Sequence, residues 1–391
     1  MQSSEPRILG VHYGVNKQVN KQGDGVRRSK SIVAILLCLS TFSCVQKPKP
    51  VFSTKAPPLQ GTITVMTFNV QNLFDTDDDP DKNDEAFLPL DKKTGLVRSA
   101  CYASNQENSY YLKECLTNDW NERILKMKMK RLTDVVRQIK DGRGPDVLIL
   151  QEIENVKILD RWRTEYLGAM NYKPALLIEG PDKRGIDVGI LTRLESAGPT
   201  ALHLIPYKAN EALKADQIRP TRGILEATLA LPDGTPLTVL GLHFPSQGAP
   251  TETRKQAVDF INVIRAKLPA DRMVIVGGDF NITSDEDAKS GYVSRTLATN
   301  WGVSHMMGCT GCLGTTYYPK NQTWSFFDIL LVTPGLKPDG TSPWKVLPES
   351  IRIENNSVYH TNRYGSPARF SENRKDGVSD HWPMVLDIIK R

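Results

Sequence analysis

Long apolar runs are scarce in this 391-residue chain. The one at Ser31–Phe42 holds about a dozen residues where a bilayer span needs about 20, so it is too short for a membrane-crossing helix. A surplus of one charge is also missing. The formal net charge is +6, but residues 1–44 hold Arg7, Lys17, Lys21, Arg27, Arg28 and Lys30 against Glu5 and Asp24, which is +4 and leaves +2 for the rest. A balance so near neutral gives no compositional argument for nucleic acid as a partner. There is no internal repeat, and no biased linker cuts residues 61–391 into modules. The acidic stretch Asp75–Asp81 lacks the EF-hand pattern, with no Gly at the turn position and Ala86 or Leu88 where the bidentate Glu belongs. It reads as a solvated acidic loop, with a weak calcium site or a substrate-side loop as alternatives.

What is present begins with a leader. Val26-Arg27-Arg28-Ser29-Lys30 is a basic start, Ser31–Phe42 an apolar core, and small residues precede Cys44. Ser43-Cys44 resembles a bacterial lipobox, with Thr41 standing where Leu or Val is usual. The expectation is export, either as a lipoprotein held to the membrane through a lipid on Cys44 or by plain secretion. Residues 1–44 are thus leader, with a polar extension at 1–25, and the Pro/Lys-rich residues 45–60 are a tether. Residues 61–391 form one domain. Removing Cys38 and Cys44 leaves Cys101, Cys115, Cys309 and Cys312, an even number that suits an oxidising compartment. The most local pairing is Cys101–Cys115 with Cys309–Cys312. Zinc at His305 with Cys309 and Cys312, or a redox-active pair, stays open, although three ligands fall short of a structural zinc site.

Within 61–391 the polar punctuation carries the information. Asn69 closes the run Ile63–Phe68, Glu152 ends Val147–Leu150, His243 ends Leu237–Leu242, and Asp279 and Asn281 follow Met273–Val276. Two later runs reverse the order: Asp328 precedes Ile329–Val332, and Asp380-His381 precede Pro383–Leu386. Such short runs read as buried strands. If the last two run antiparallel to the others, all these polar groups share one sheet rim. Residues 122–139 read as an amphipathic helix whose Lys126, Lys128, Lys130 and Arg131 form a solvated face, and Pro250-Thr251 opens a second helix. Many strands with covering helices imply an α/β fold of two packed sheets with helices outside.

The chemistry follows from the residue types. Magnesium takes oxygen ligands and keeps several waters, so one or two carboxylates hold it, and Asn69, Glu152, Asp279 and Asp380 offer such oxygens. A phosphoester hydrolase needs a base for water, donors for developing charge and help for the leaving oxygen. His243 and His381 provide imidazoles, each needing a partner to fix its tautomer. Asn281 offers an amide to a phosphate. Each motif alone has a plainer reading: Gly277–Asn281 as a turn, Ser379-Asp380-His381 as a hydrogen-bonded turn before a strand. Glu152 is harder to dismiss, because a carboxylate after a buried run must be paired or metal-bound.

Taken in order, Thr67–Asp75, Pro145–Glu152, Leu242–Ser246, Gly278–Asn281, Phe327–Leu330 and Ser379–Pro383 resemble the successive signature motifs of the endonuclease/exonuclease/phosphatase superfamily, in its bacterial exported branch. The resemblance spans Thr62 to about Ile389. It implies a four-layered α/β sandwich of DNase I-like type, with two mixed sheets flanked by helices, and divalent-metal-dependent phosphoester hydrolysis. Carried over residue by residue, it implies Asn69, Glu152 and Asp380 at the metal, which would be Mg²⁺ with Mn²⁺ or Ca²⁺ as alternatives. His243 would face the phosphate, with Asp187 as its supporting acid. Asp279 and Asn281 would orient water and phosphate, and Asp328 would orient His381, the base or transition-state donor. Arg222 is a phosphate-contact residue or else a surface ion pair.

Substrate is a separate question, since fold does not fix it. No aromatic hairpin is evident, Trp301 and Tyr317-Tyr318 reading as isolated core residues, which argues against a sphingomyelinase. No dense Lys/Arg set marks a specialised inositol phosphatase. The first expectation is an exported monomeric nuclease acting on DNA or RNA, with no protein partner. Lipid or inositol phosphoesters are the alternative, and a non-catalytic lipid-anchored binding protein is a distant third.

Overall fold

The computed structural model describes residues 61–106, 108–374 and 376–391. The leader expected at 1–44, the tether at 45–60 and Cys44 lie outside the described residues. In chain order the strands begin with β1 (Thr62–Leu73), β2 (Val147–Ile153), β3 (Leu176–Leu177), β4 (Asp187–Thr192) and β5 (Glu195–Ser196). Next come β6 (Ala201–His203), β7 (Ile224–Ala230), β8 (Pro236–His243), β9 (Met273–Asp279) and β10 (Gly302–Val303). The last are β11 (Thr316–Tyr318), β12 (Thr323–Ser325), β13 (Asp328–Val332), β14 (Trp344–Ile353) and β15 (Met384–Lys390).

They form two large mixed sheets. The first runs β14-β15-β1-β2-β4-β3 and the second β10-β13-β9-β8-β7-β5, with β6 also on β7. The central pairs β1–β2 and β8–β9 are parallel. As expected, β15 lies antiparallel to β1 and β13 antiparallel to β9.

Side-chain alternation sets the layers. Ile63, Val65, Val147 and Ile149 of the first sheet meet Leu237, Val239, Met273 and Ile275 of the second in a shared core. The alternate residues Met66, Phe68, Leu148 and Leu150 point the other way, under α3 (Glu122–Val136) and α4 (Val156–Glu165), which follow α1 (Gly95–Ser104) and α2 (Ser109–Thr117). Leu240, Leu242, Val274 and Val276 pack beneath α5 (Thr251–Lys267), ahead of α6 (Ser284–Ser290). The result is helix, sheet, sheet, helix, the DNase I-like sandwich. Asn121 caps α3 by accepting from Arg123 N and Ile124 N.

Cys101 of α1 is bonded to Cys115 of α2, and Cys309 to Cys312. Both local pairs are therefore disulfides, which takes the Cys309 and Cys312 sulfurs from any zinc site with His305, and His305 stacks on Phe326. The solvated face expected on α3 is corrected in part. Lys128 is fully buried and Arg131 nearly so, because position 128 lies four residues from both Ile124 and Leu132, on the apolar stripe itself. No helix among the described residues is long and apolar enough to cross a membrane.

Candidate active site

The strand directions bring the ends of β1, β2, β8 and β9 and the starts of β4 and β13 to one rim. Register sets His243 beside Asp279, Asp279 beside Asp328, and Asn69 beside Gln151. Two glycines let the sheets approach here. A Cβ on Gly277 would stand 2.5 Å from Ile149 Cδ1, and one on Gly241 2.7 Å from Val188 Cγ1, both across the sheet interface. Glu152 sits on a bulge, the one residue by which β2 exceeds β4, opposite a longer irregularity of β1 between Asn69 and Leu73, and its φ of 64° is left-handed. Such backbone costs of order 1–3 kcal/mol and re-aims the side chain out of the strand's alternation.

Asp279 is the hub of the rim. Its Oδ2 accepts from Asn69 Nδ2 at 3.0 Å and lies 3.5 Å from His243 Nε2 and 3.8 Å from His381 Nε2. Its Oδ1 accepts from Asn281 N at 2.8 Å. Asn69 Nδ2 also donates to Glu152 Oε1 at 3.2 Å, so one amide ties two carboxylates together across the two sheets. His381 Nδ1 meets Asp328 Oδ2 at 2.8 Å, a second tie between sheets, because His381 leads into β15 and Asp328 opens β13. Asn281 donates to Phe244 O at 3.1 Å, which fixes its side chain in the cleft wall.

Charge separates the two imidazoles. Burial, with Arg222 and Arg184 nearby, holds His243 well below the usual histidine range, so it is neutral. Burial also works against charge on His381, but the Asp328 and Asp279 carboxylates outweigh it and hold it well above that range. Burial raises Asp279, opposed by His381 and Asn69.

A divalent cation fits the donor set. Glu152, Asp279 and Asp380 are all oxygen donors; among the described residues Asp380 is half-exposed with only Arg369 at 4.0 Å, and Glu152 accepts only from Asn69. Asn69 Nδ2 bridges Glu152 and Asp279, while its Oδ1 accepts from Gln71 N at 2.9 Å and keeps a second lone pair for a cation.

Two expected residues stand aside. Asp187 accepts from Gly180 N at 2.8 Å and has no hydrogen bond to His243, whose Nδ1 is buried without a partner among the described residues. The 180 loop thus holds one oxygen of the carboxylate expected to support His243. Arg222 is not on the surface. It is buried with Nε 3.0 Å from Asp182 Oδ2, and it reaches His243 and Asp279 through its field. The claim of no aromatic hairpin is also corrected. β11 and β12 form one, with Tyr317 against Trp324, Trp324 stacked on Trp382, and Tyr318 exposed. Trp301 is core.

Other contributors were not singled out. Ser379 Oγ donates to Asn69 O and accepts from His381 N, coupling β1 to the histidine loop. Thr315 Oγ1 accepts from Asp328 N. Lys128 Nζ reaches up to Val70 O, Gln71 O and Val378 O, beneath Glu152 and Asp380. Its place on the apolar stripe was the one signal available. The site opens into a cleft of about 660 Å³ lined by His381, Asp380, Asn281, Phe327, Tyr317 and Tyr318.

Comparison with known proteins agrees with this geometry. A profile described as the Endonuclease/Exonuclease/phosphatase family matches residues 102–390. An endonuclease/exonuclease/phosphatase from Bacteroides vulgatus is 16% identical with a TM-score of 0.50, over 84% of this chain and 99% of that one. One from Beutenbergia cavernae is 15% identical with a TM-score of 0.50, over 85% and 72%. At such identities these structures speak for the fold alone. Comparison with curated proteins gave no match. The match over most of the chain makes this protein a member of the endonuclease/exonuclease/phosphatase family, whose enzymes are phosphoesterases and are generally divalent-metal-dependent.

Proposed function

We propose that the protein is an exported nuclease that hydrolyses phosphodiesters of DNA or RNA with Mg²⁺, the lipid on Cys44 holding it at the membrane. The two disulfides favour an oxidising compartment. The observation that carries the nuclease reading is the His381–Asp328 pair opening directly onto an aromatic-walled cleft, since Tyr317, Tyr318 and Phe327 offer ring faces on which bases stack.

Each residue's part follows from its charge and position. Asp279, raised by burial, receives the proton of the attacking water at Oδ2. His381, cationic through Asp328, donates from Nε2 to the phosphoryl oxygen as charge builds there, and the ester P–O bond opposite the water breaks, its oxygen taking a proton from solvent. Neutral His243 and the free N–H of Asn281 orient the phosphate, and Arg222 adds positive field from behind. Glu152 and Asp380 would hold Mg²⁺, or Mn²⁺ or Ca²⁺ in its place, which when bound would supply positive charge to offset the phosphoryl oxygens.

A second reading rests on the same hairpin. Exposed Tyr318 and, nearby in sequence, Leu313 would also suit a lipid phosphodiester. Plasmid DNA, RNA, bis(p-nitrophenyl) phosphate, sphingomyelin and inositol phosphates are incubated with the protein in Mg²⁺ or EDTA, beside His381→Ala. Mg²⁺-dependent plasmid nicking or RNA cleavage that the variant loses supports the nuclease. Turnover of sphingomyelin or inositol phosphates alone replaces it with the second reading.

A further inference from the structure

Away from the rim, three carboxylates converge without a counter-ion. One oxygen each from Asp79, Asp84 and Glu154 lies within 4.8 Å of the other two. The stretch Asp75–Asp81 is half-buried to exposed, as a solvated acidic loop would be, but Asp84 and Glu154, which lie outside it, are 1% and 2% exposed. Each keeps one buried oxygen, Asp84 Oδ1 and Glu154 Oε1, with no hydrogen-bond partner among the described residues. Their other oxygens are taken by backbone: Asp79 N donates to Asp84 Oδ2 at 3.0 Å, and Asp75 N to Glu154 Oε2 at 2.6 Å. No Lys or Arg among the described residues stands within 4.0 Å of any of the three. Three like charges so close, two of them out of water, are strongly unfavourable unless bound protons or a cation neutralise them.

We propose that Asp79, Asp84 and Glu154 form a second, structural cation site that takes Ca²⁺ and clamps the acidic loop to the end of β2. Oxygen-only donors on an irregular loop suit the flexible, carboxylate-rich coordination of Ca²⁺ better than the octahedral, water-retaining Mg²⁺. The clamp has a clear mechanical sense. Glu154 lies two residues past the strained Glu152, so fixing one holds the other's bulge. The loop in turn grips the 180 segment, where Lys82 Nζ donates to Gly180 O and Asp182 O and Asn83 N donates to Lys183 O. That segment carries Asp182, the partner of Arg222.

The test uses the purified protein stripped by chelator, then titrated with Ca²⁺ or Mg²⁺ while thermal melting and calorimetric stoichiometry are followed. Glu152→Gln removes the carboxylate of the catalytic rim, and Asp84→Asn removes one of the clamp. Expected is a Ca²⁺-dependent rise in Tm, larger than with Mg²⁺, that Glu152→Gln keeps and Asp84→Asn loses. In chelator, Asp84→Asn should melt no lower than the unmodified protein, since it relieves repulsion. No rise with Ca²⁺, or a rise lost in Glu152→Gln and kept in Asp84→Asn, overturns the clamp. If Asp84→Asn does not fold, the half-buried Asp79→Asn decides. Ca²⁺ affinity should drop by at least about tenfold, as removal of even an outer-shell partner does, and an unchanged affinity overturns the proposal.

Discussion

Asp328→Asn isolates a single interaction with almost no change in volume. Asp328 is fully buried, its backbone N is held by Thr315 Oγ1, and Oδ2 lies 2.8 Å from His381 Nδ1. The amide that replaces it has no charge. His381 then faces burial, which disfavours its cation, with only Asp279 at 3.8 Å and Asp380 to oppose it. The imidazolium is lost near neutral pH, and if the amide nitrogen faces Nδ1 the ring is also forced into the wrong tautomer. A positioned proton donor is worth about 10²–10⁴ in rate, and loss of an orienting carboxylate of this kind about 10⁴. The expected drop in kcat is therefore two to four decades, about 3–5 kcal/mol of barrier. KM should change little, because Asp328 touches no substrate. Turnover of bis(p-nitrophenyl) phosphate across pH, with Tm as a folding control, measures both. A folded variant that keeps a kcat within about threefold and the same pH profile would refute the dyad.

Other outcomes follow from the packing. Gly277→Ala puts a methyl 2.5 Å from Ile149 Cδ1 and 2.9 Å from Leu330 Cδ2, so overpacking should cost about 1–3 kcal/mol in a urea melt. It should also lower kcat by prising the rim apart, and an unaltered melt would show that the sheets are not held this close. Breaking Cys101–Cys115 by Ser at both positions frees a loop of separation 14, worth about 3 kcal/mol, visible as a lower urea midpoint. His305 is pushed down to about 4 by burial against Phe326, from an ordinary 6.5. The unfolded chain takes up that proton first, so the stabilisation is whole above about pH 6.5 and fades as pH falls toward 4. At about 1.4 kcal/mol per unit it can reach about 3 kcal/mol. Urea melts of His305→Leu should thus lose less stability than the unmodified protein between pH 7 and 4.5, and parallel losses would refute it.

Much of this molecule is legible in the sequence because strands end in polar residues at positions that backbone pairing then forces together. The antiparallel return of β13 and β15 follows from Asp328 and Asp380-His381 preceding their runs while Glu152 and His243 follow theirs. What escaped notice depends on distance in space rather than in sequence. Lys128 was grouped with its charged neighbours, though its helical spacing put it on the buried stripe. Asp187 matched a motif position, but the capture of its carboxylate by Gly180 N depends on a loop whose path no pattern records. Tyr317 and Tyr318 read as isolated in sequence, because only the pairing of β11 with β12 sets Trp324 beside Tyr317. Glu154 is silent in sequence because its partners, Asp79 and Asp84, arrive from a loop some 70 residues earlier.

The rim draws on both sheets in equal measure: Asn69, Glu152 and His381 belong to the first, His243, Asp279 and Asp328 to the second. The bonds Asn69–Asp279 and His381–Asp328 both cross the seam. Neither half, however well formed, holds a dyad or a hub. A nascent chain or a partly unfolded one is therefore chemically silent toward phosphoesters, and hydrolysis switches on only in the step that docks one sheet upon the other.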